Sequence, residues 1–253
     1  MKCPRCGATN NPMDSRFCTE CGAILVGDNE NKYDNRLQSE TDEFKANKDL
    51  INGHEYVDLA LPSGTLWATC NIGASNPEEH GDFYAWGEVC SKKEFSLSTS
   101  KWYGVIKAKR WYELFDRDLI SIGVVDSTGN LVSKYDVATQ KWGNRWHMPT
   151  LSHFIELIKY TSNTMAFRKG VRGRLITSKI NGNSLFFPCG GFRYSTGDSN
   201  NLVGPEELGE YWSSTVADDK HTAYHLSFDT QDEFSTNNTM RLVGRNIRPV
   251  SNA

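Results

Sequence analysis

The alternation of apolar and polar residues is most regular near the C-terminal end of the chain. Within residues 223–228, every second residue from Tyr224 to Phe228 is large and apolar, and the residues between them are small or polar. A period of two predicts a strand with one buried face. Residues 211–215 and 245–250 form similar runs, so the sequence predicts strands that lie side by side in this region.

Two polar segments, residues 216–221 and 229–240, separate these strands and are rich in Asp, Asn, Thr and Ser. Polar loops held between anchored strands are where binding residues concentrate. Small polar groups give adaptable hydrogen bonds and aromatic rings give contact area, as in antibody loops. The sequence therefore predicts a recognition surface. Its candidate ligand-binding residues are Trp212, Ser214, Asp218, Asp219, His221, His225, Asn237, Asn238, Arg241 and Asn246. For Trp212, packing in the core is the alternative role.

Patterns further upstream predict another strand, a hairpin and a helix. The aromatic run at residues 83–86 predicts a strand. Asn181-Gly182 tolerates the left-handed backbone of a two-residue turn, so it predicts a hairpin between the flanking residues. Thr150 precedes apolar residues at helical spacing and is predicted to cap that helix.

The cysteines are concentrated at the N-terminus, where four of the seven lie within the first 21 residues. They form two CxxC pairs, each followed by glycine, and eleven residues separate the pairs. Four thiolates at this spacing close a tetrahedral Zn²⁺ site without an open position, which makes the metal structural. The predicted zinc ligands are Cys3, Cys6, Cys18 and Cys21. The segment resembles the zinc ribbons found at the front of many bacterial proteins. Two redox-active pairs are the alternative, but they need a thioredoxin-like context that the sequence does not indicate.

Composition divides the chain into three parts. Residues 1–26 are the predicted zinc ribbon, a segment so short that metal binding must supply most of its folding free energy. Residues 27–52 carry many charges and few aromatic residues, which predicts a flexible polar linker. Residues 53–253 contain all seven tryptophans and are the predicted large domain, with an irregular insertion at residues 90–141.

Charge and hydropathy limit the classes of partner. The formal net charge is −3, so no global positive field attracts nucleic acid or an anionic membrane. No apolar run approaches the roughly 20 residues that a membrane span needs. The N-terminus has no apolar signal-peptide core, and the cysteine pattern favours a reducing compartment, so we expect a cytoplasmic protein.

Several motifs of the predicted large domain occur in an order that is typical of one family. They are His54-Glu55-Tyr56-Val57-Asp58-Leu59, Leu61-Pro62-Ser63-Gly64-Thr65-Leu66-Trp67, Trp86-Gly87-Glu88, His147-Met148-Pro149-Thr150, Asn181-Gly182-Asn183-Ser184, Tyr211-Trp212-Ser213-Ser214 and Arg248-Pro249-Val250. Together they resemble the Fibrobacter-type major paralogous domain. That family belongs to the C-type-lectin-like fold group, together with the formylglycine-generating sulfatase-modifying factors.

The resemblance covers about residues 53–250. It implies an α+β, β-rich, C-type-lectin-like domain with a binding role, and it implies no reaction. The chain departs from the family at His147, where members have Arg, and at His153, where members have an acid. The second departure weakens the expected capping box of the helix.

Three alternative functions stay open. A formylglycine-generating-enzyme-like oxidase would need a pair of reactive cysteines, whereas Cys70, Cys90 and Cys189 lie in no CxxC motif. Calcium-dependent sugar binding lacks its signature triplets and a convergent set of oxygen ligands. A zinc-ribbon-led regulatory or nucleic-acid adaptor would use a local basic patch, for which a solvated face is the simpler interpretation. The patch comprises Arg168, Lys169, Arg172, Arg174 and Lys179.

The sequence thus predicts a non-enzymatic protein that binds an unidentified protein or glycan ligand through its C-terminal loops. Its only expected cofactor is structural Zn²⁺. Genetic diversification of those loops is a further hypothesis.

Overall fold

The computed structural model describes residues 2–3, 6–10, 18–20, 47–106, 110–113, 116–196, 199–218, 221–231 and 233–252. In this part of the chain the strands are β1 Asn47–Ile51, β2 His54–Asp58, β3 Thr65–Ala68, β4 Tyr103–Ile106, β5 Arg110–Glu113, β6 Thr161–Arg168, β7 Val171–Ser178, β8 Ser184–Pro188, β9 Phe192–Thr196, β10 Ser199–Val203, β11 Gly209–Val216, β12 Thr222–Phe228, β13 Phe234–Met240 and β14 Val250–Asn252. The helices are α1 Asp116–Ser121, α2 Val137–Trp142 and α3 Leu151–Tyr160, with a 3₁₀ turn at Leu97–Thr99. The protein is therefore β-rich, and none of the described helices has the length and apolarity needed to cross a membrane.

A four-stranded antiparallel sheet of order β1-β2-β3-β14 joins the two ends of the large domain. Strand β14 pairs with β3, where Val250 lies opposite Trp67. Strand β1 corrects the predicted linker boundary, because Asn47–Ile51 pairs with β2 and Ile51 is buried. The large domain therefore begins at or before Asn47, and residues 27–46 of the predicted linker lie outside the described residues.

Two three-stranded antiparallel sheets, β6-β7-β8 and β11-β12-β13, contain most of the longer strands. Strands β7 and β8 form the predicted hairpin, but residues 179–183 connect them instead of a two-residue turn. Gly182 has the left-handed φ of 76° that the dipeptide predicts, whereas Asn181 does not have a positive φ. Strand β12 lies between β11 and β13 and pairs in continuous register with β13 along its whole length. Pairs β4-β5 and β9-β10 complete the described strands.

Helix α3 begins where the sequence predicts it. The Thr150 side chain accepts a hydrogen bond from the His153 backbone N–H, and the His153 Nδ1 accepts one from the Thr150 N–H. The capping box is thus complete, since the imidazole nitrogen supplies the acceptor that a carboxylate usually supplies. Phe154 and Leu157 are buried against the core, which accounts for the apolar spacing.

The interior of the large domain is built around four fully buried tryptophans, Trp67, Trp86, Trp146 and Trp212. Three of them donate their indole N–H to backbone carbonyl groups: Trp86 to Ser213, Trp146 to Ile51 and Trp212 to Tyr84. A buried indole contributes a large apolar surface and needs one hydrogen-bond acceptor. These contacts therefore tie loops with little regular structure to the strands beneath them.

Residues 90–141 differ from the predicted irregular insertion. They include β4, β5, α1 and most of α2, and Trp102, Leu119 and Val137 belong to the same buried cluster as Trp146 and Trp212. The segment is thus part of the main core. The sequence failed to show this because its apolar residues are spread over short elements.

Two other predicted strands also need correction. The aromatic run at residues 83–86 contributes only an isolated bridge between Tyr84 and Arg245. Most of residues 245–250 lie outside named strands, and β14 begins at Val250. Their alternation has another cause: large apolar and polar side chains are both buried here, so the period of two reflects packing on both sides of the chain.

Candidate metal centre and ligand-binding surface

The N-terminal knuckle brings three predicted zinc ligands together. The Sγ atoms of Cys3, Cys6 and Cys18 all lie within 4.8 Å of one another, and those of Cys6 and Cys18 are 3.5 Å apart. The Gly7 N–H donates to the Cys3 carbonyl, and Gly7 has a φ of 76°, which closes the turn. Cys21, the fourth predicted ligand, lies outside the described residues.

These thiols fit a zinc ion. Tetrahedral coordination with Zn–S bonds of about 2.3 Å places neighbouring sulfurs about 3.8 Å apart. The observed separations match this spacing, and Cys3 and Cys18 are buried. Bound zinc would crosslink two turns of a segment with little core of its own, and four thiolates would hold it without an open position for chemistry.

The knuckle contacts the large domain through Arg193, a buried residue of β9. Its guanidinium donates to the Thr19 carbonyl at 3.2 Å and lies 5.2 Å from the centre of the Phe83 ring. A cleft of about 710 Å³ separates the two parts beside this contact. Its lining carries both signs of charge, with three basic and two acidic residues: Lys92, Lys93, Arg193, Glu20 and Asp82.

Five of the predicted ligand-binding residues are buried inside the domain, where protein groups surround them. They are Trp212, Ser214, His225, Arg241 and Asn246. The Asn246 side chain donates to the Asp82 carbonyl, and the Arg241 guanidinium lies 5.7 Å from the Trp86 ring centre. The structure thus places these five side chains in the interior and not on an exposed face. A sixth predicted residue, Asp219, lies outside the described residues.

A buried ionic cluster joins β11, β12 and the segment that follows β13. The Glu210 Oε2 lies 3.0 Å from the Arg245 Nε and 2.9 Å from the His225 Nε2. Its other oxygen accepts from the Ser227 hydroxyl at 3.0 Å. The Arg245 guanidinium also lies 4.7 Å from the Trp212 ring centre. The carboxylate is therefore well supplied with donors, as a buried charge requires.

The pKa directions agree with a charged Glu210 and a neutral His225. Burial by itself raises the pKa of Glu210, but the hydrogen bond from His225 and the charge of Arg245 outweigh it and lower that pKa. Burial, followed by the charge of Arg245, lowers the pKa of His225. Glu210 and Arg245 are not among the site residues predicted from the sequence. The local sequence contains no signal for them, because Glu210 precedes the predicted strand at residues 211–215 and meets Ser227 only through the register of the folded sheet.

The other predicted binding residues are exposed and lie near one end of the β11-β12-β13 sheet. Asp218 and His221 lie in the turn between β11 and β12, and Asn237 and Asn238 lie on β13. Tyr224 lies opposite Asn238 and is partly exposed, and Thr222 donates from its hydroxyl to the Asn238 Oδ1. We call Asp218, His221, Thr222, Tyr224, Asn237 and Asn238 the β12–β13 surface. It includes both faces of β13, because Asn237 points to the opposite face from Asn238.

Strand β13 corrects the predicted loop at residues 229–240. Residues from Phe234 to Met240 form a regular strand because every one of them pairs with a residue of β12. The sequence lacks an apolar alternation here, since both sides of the strand are polar apart from its two ends. Strand β12 was expected to have one buried face, but it has buried residues on both: Leu226 and Phe228 on one, and Ala223, His225 and Ser227 on the other.

The basic patch is largely paired or stacked with other residues. Arg168 and Lys169 both lie within ion-pair distance of the buried Glu78, at 3.4 Å and 2.6 Å. Arg174 is buried and donates to the Asn163 side chain, and Arg172 lies over the Phe167 ring. Since these contacts engage most of the basic groups of the patch, few of them are available to bind the phosphates of a nucleic acid.

Two thiols of the large domain are held in their protonated form. Burial raises the pKa of Cys189 to about 12, and burial also raises the pKa of Cys70. Since the thiolate is the reactive form of cysteine, neither residue is activated as a nucleophile or a copper ligand at neutral pH.

Comparison with protein families finds a match at the N-terminal end. Residues 2–25 match the zinc-ribbon domain. The N-terminal segment is a zinc ribbon. The match includes all four predicted ligands, so it agrees with the thiol geometry of the described knuckle. No curated protein and no solved structure matches the chain.

Proposed function

We propose that this chain is a non-enzymatic binding protein in which a structural zinc ribbon precedes a C-type-lectin-like domain. In this proposal the large domain holds a protein or glycan ligand at the β12–β13 surface. The ordered motifs that resemble the Fibrobacter-type family support the fold assignment, together with the β-rich architecture and the chain ends joined by β3 and β14.

One observation carries the proposal: exposed polar side chains lie directly above a buried, hydrogen-bonded interior. His225, the neighbour of Tyr224, is held beneath the surface by Glu210. Asn237 lies opposite His225 and is exposed on the same face, and Asn238 lies opposite Tyr224 and is exposed on the other face of the strand. A rigid platform under adaptable polar groups reduces the entropy lost on binding, which is a property of efficient recognition sites.

The chemistry of the surface favours a neutral, hydrogen-bonding ligand. Asparagine amides donate and accept, Thr222 and Tyr224 add hydroxyls, and Asp218 is the one carboxylate among its members. Sugar hydroxyls and peptide amides both match such groups. The protonated state of Cys70 and Cys189 argues against the oxidase alternative. The paired basic patch argues against the nucleic-acid adaptor.

The experiment is a binding screen of the full chain on a glycan array and on a displayed random-peptide library. The test variant is the double substitution Asn237→Ala and Asn238→Ala. The matched control is Asn144→Ala with Asn201→Ala, since these two asparagines are also exposed but lie elsewhere.

For any glycan or peptide that binds, the test variant should weaken binding at least about tenfold, which corresponds to about 1.4 kcal/mol. The control should bind like the parent. Equal binding by the parent and both variants would place the binding face elsewhere.

A further inference from the structure

Strand β13 forms an open edge of its sheet. Among the described residues it pairs with β12 and with no other strand. The pairing runs from Phe234 to Met240 without a register shift, so the edge is a regular strand of seven residues. An edge strand of this kind presents unpaired backbone groups to any other chain.

The hydrogen bonds that flank β13 show which of its backbone groups face outward. The Arg241 N–H donates to the His221 carbonyl at one end, and the Asp229 N–H donates to the Glu233 carbonyl at the other. Hydrogen-bonded and non-hydrogen-bonded pairs alternate in an antiparallel ladder. It follows that Ser235, Asn237 and Thr239 bond to β12, whereas Phe234, Thr236 and Asn238 direct their N–H and C=O groups outward.

The edge lacks the features that usually prevent strand addition. Natural edge strands are protected by charged residues, prolines or bulges. Strand β1 contains Lys48, Asp49 and a register shift, and β8 ends at Pro188. Strand β13 contains no charge, no proline and no bulge.

The arrangement of these groups is self-complementary. If two copies of β13 pair antiparallel about a two-fold axis at Asn237, each Thr236 faces the partner's Asn238. The outward N–H groups of these two residues then meet carbonyl acceptors, because both residues direct N–H and C=O groups to the same edge. Asn237 lies opposite its own copy, and the strand itself is uncharged. The Glu233 carboxylate that precedes the strand accepts hydrogen bonds from the Asn237 amide and the Ser235 hydroxyl.

We propose that two copies of this chain associate through β13 and form a continuous six-stranded antiparallel sheet across a two-fold axis. The side chains of Asn237 remain on a sheet face, so pairing brings two β12–β13 surfaces next to each other. This inference does not rest on the proposed ligand-binding function, because it uses backbone groups of the edge. Two seven-residue strands bury less than a permanent interface does, so the association depends on concentration.

Disulfide crosslinking tests the register. In the proposed pair the two Asn237 residues form a non-hydrogen-bonded pair with Cα atoms about 4.5 Å apart, within the range of a disulfide. The variant Asn237→Cys should give a crosslinked dimer under mild oxidation. Ser235→Cys is the matched control on the same strand and face, where the two Cα atoms would lie about 13 Å apart. The parent chain corrects for crosslinking through its own cysteines, including the exposed Cys90.

Sedimentation analysis of the full chain tests the association itself, up to a concentration of about 300 µM. The parent should move from monomer to dimer with concentration. Asn237→Lys should shift the transition at least about tenfold upward, because like charges would face each other across the axis. Asn201→Lys makes the same charge change at an exposed position of β10 and should behave like the parent.

Three results would overturn the proposal: a parent that is monomeric throughout, an Asn237→Cys variant that crosslinks no more than Ser235→Cys, or equal dimerisation of both lysine variants. The chain could instead stay monomeric and bind peptides from the displayed library, with Asn237→Lys abolishing that binding. This result would show that β13 pairs with a strand of another protein, and it would also contradict the proposed dimer.

Discussion

The zinc ribbon and the large β domain are stabilised in opposite ways. In the described knuckle, three cysteine sulfurs converge within 4.8 Å and almost no apolar side chain is buried apart from the ligands. In the large domain, four tryptophans and a set of buried charged groups fill the interior. We therefore expect the ribbon to depend on one bound ion, whereas the large domain distributes its stability over many contacts.

The buried charges of the large domain show how this distribution works. Arg248 is fully buried and donates hydrogen bonds to the Asn71 side chain and to the carbonyls of Ala68, Thr69 and Phe186. One side chain thus joins the segment after β3 to strand β8. Irregular backbone that would otherwise bury unsatisfied carbonyls is held in place by guanidinium groups.

The largest expected effect is on the ribbon after metal removal. Structural zinc contributes on the order of 10–16 kcal/mol in isolated fingers, and the knuckle has little else to stabilise it. Chelation, or the substitution Cys18→Ser, should reduce bound zinc from about one ion per chain to near zero and unfold residues 1–26. Metal analysis and proteolysis at the N-terminus measure this.

After the same treatment, the melting temperature of the large domain should change by less than about 2 °C. Arg193 links the large domain to the knuckle by its hydrogen bond to the Thr19 carbonyl. If the melting temperature of the large domain fell as zinc was lost, the two regions would fold together. The ribbon and the large domain would then not be stabilised independently.

The next largest effect is expected at Arg248. The substitution Arg248→Met keeps much of the apolar volume but leaves several buried carbonyls without donors, which should cost about 3–5 kcal/mol. Chemical denaturation measures the loss. Arg145→Met, at an exposed position, should change stability by less than about 0.5 kcal/mol. A similar small change at Arg248 would mean that packing alone holds this part of the domain.

A smaller effect is expected on the dependence of stability on pH. Burial, followed by the nearby charge of His147, lowers the pKa of His153 from 6.5 to about 4. In the unfolded chain His153 binds a proton near pH 6.5, whereas in the folded protein it binds one only near pH 4. The free energy of unfolding therefore falls as the pH drops from 6.5 to 4. The protonation of His153 in the unfolded chain lowers the free energy of unfolding by about 3 kcal/mol over that window.

The substitution His153→Gln should reduce this slope while keeping an acceptor for the Thr150 N–H. Denaturation at several pH values between 6.5 and 4 compares it with the parent. His221→Gln, at an exposed turn, is the control and should leave the slope unchanged. An unaltered slope in the His153 variant would assign the acid sensitivity to other groups, such as His225 and Glu210.

The smallest effect is expected at the β12–β13 surface. Asp218→Ala and Asn238→Ala remove exposed side chains whose contacts are few, so each should change the free energy of unfolding by less than about 0.5 kcal/mol. Thermal denaturation measures this. A decrease of more than about 1 kcal/mol in the free energy of unfolding would show that these residues stabilise the fold. The β12–β13 surface would then not be independent of the interior beneath it.

The locally encoded elements were the ones that sequence patterns could predict. The start of α3 follows from Thr150 and the apolar residues that come after it, and the turn at Gly182 follows from its backbone freedom. Strand β13 was missed because a polar edge strand has no hydrophobic period, and only its partner β12 defines it. Residues 90–141 were missed as core because their apolar residues meet only after folding.

The sequence by itself specified the zinc ribbon, because the CxxC spacing identifies the candidate ligands, and the structure brings three of them within 4.8 Å of one another. It also determined that polar residues collect near the C-terminal strands. Only the tertiary structure decided which of them face water: Glu210 meets Arg245 across 35 positions, and His225 is buried while Asn237 opposite it is exposed. Whether a polar residue is buried depends on how distant segments of the chain pack against it. The spacing of residues along the local sequence therefore does not predict it.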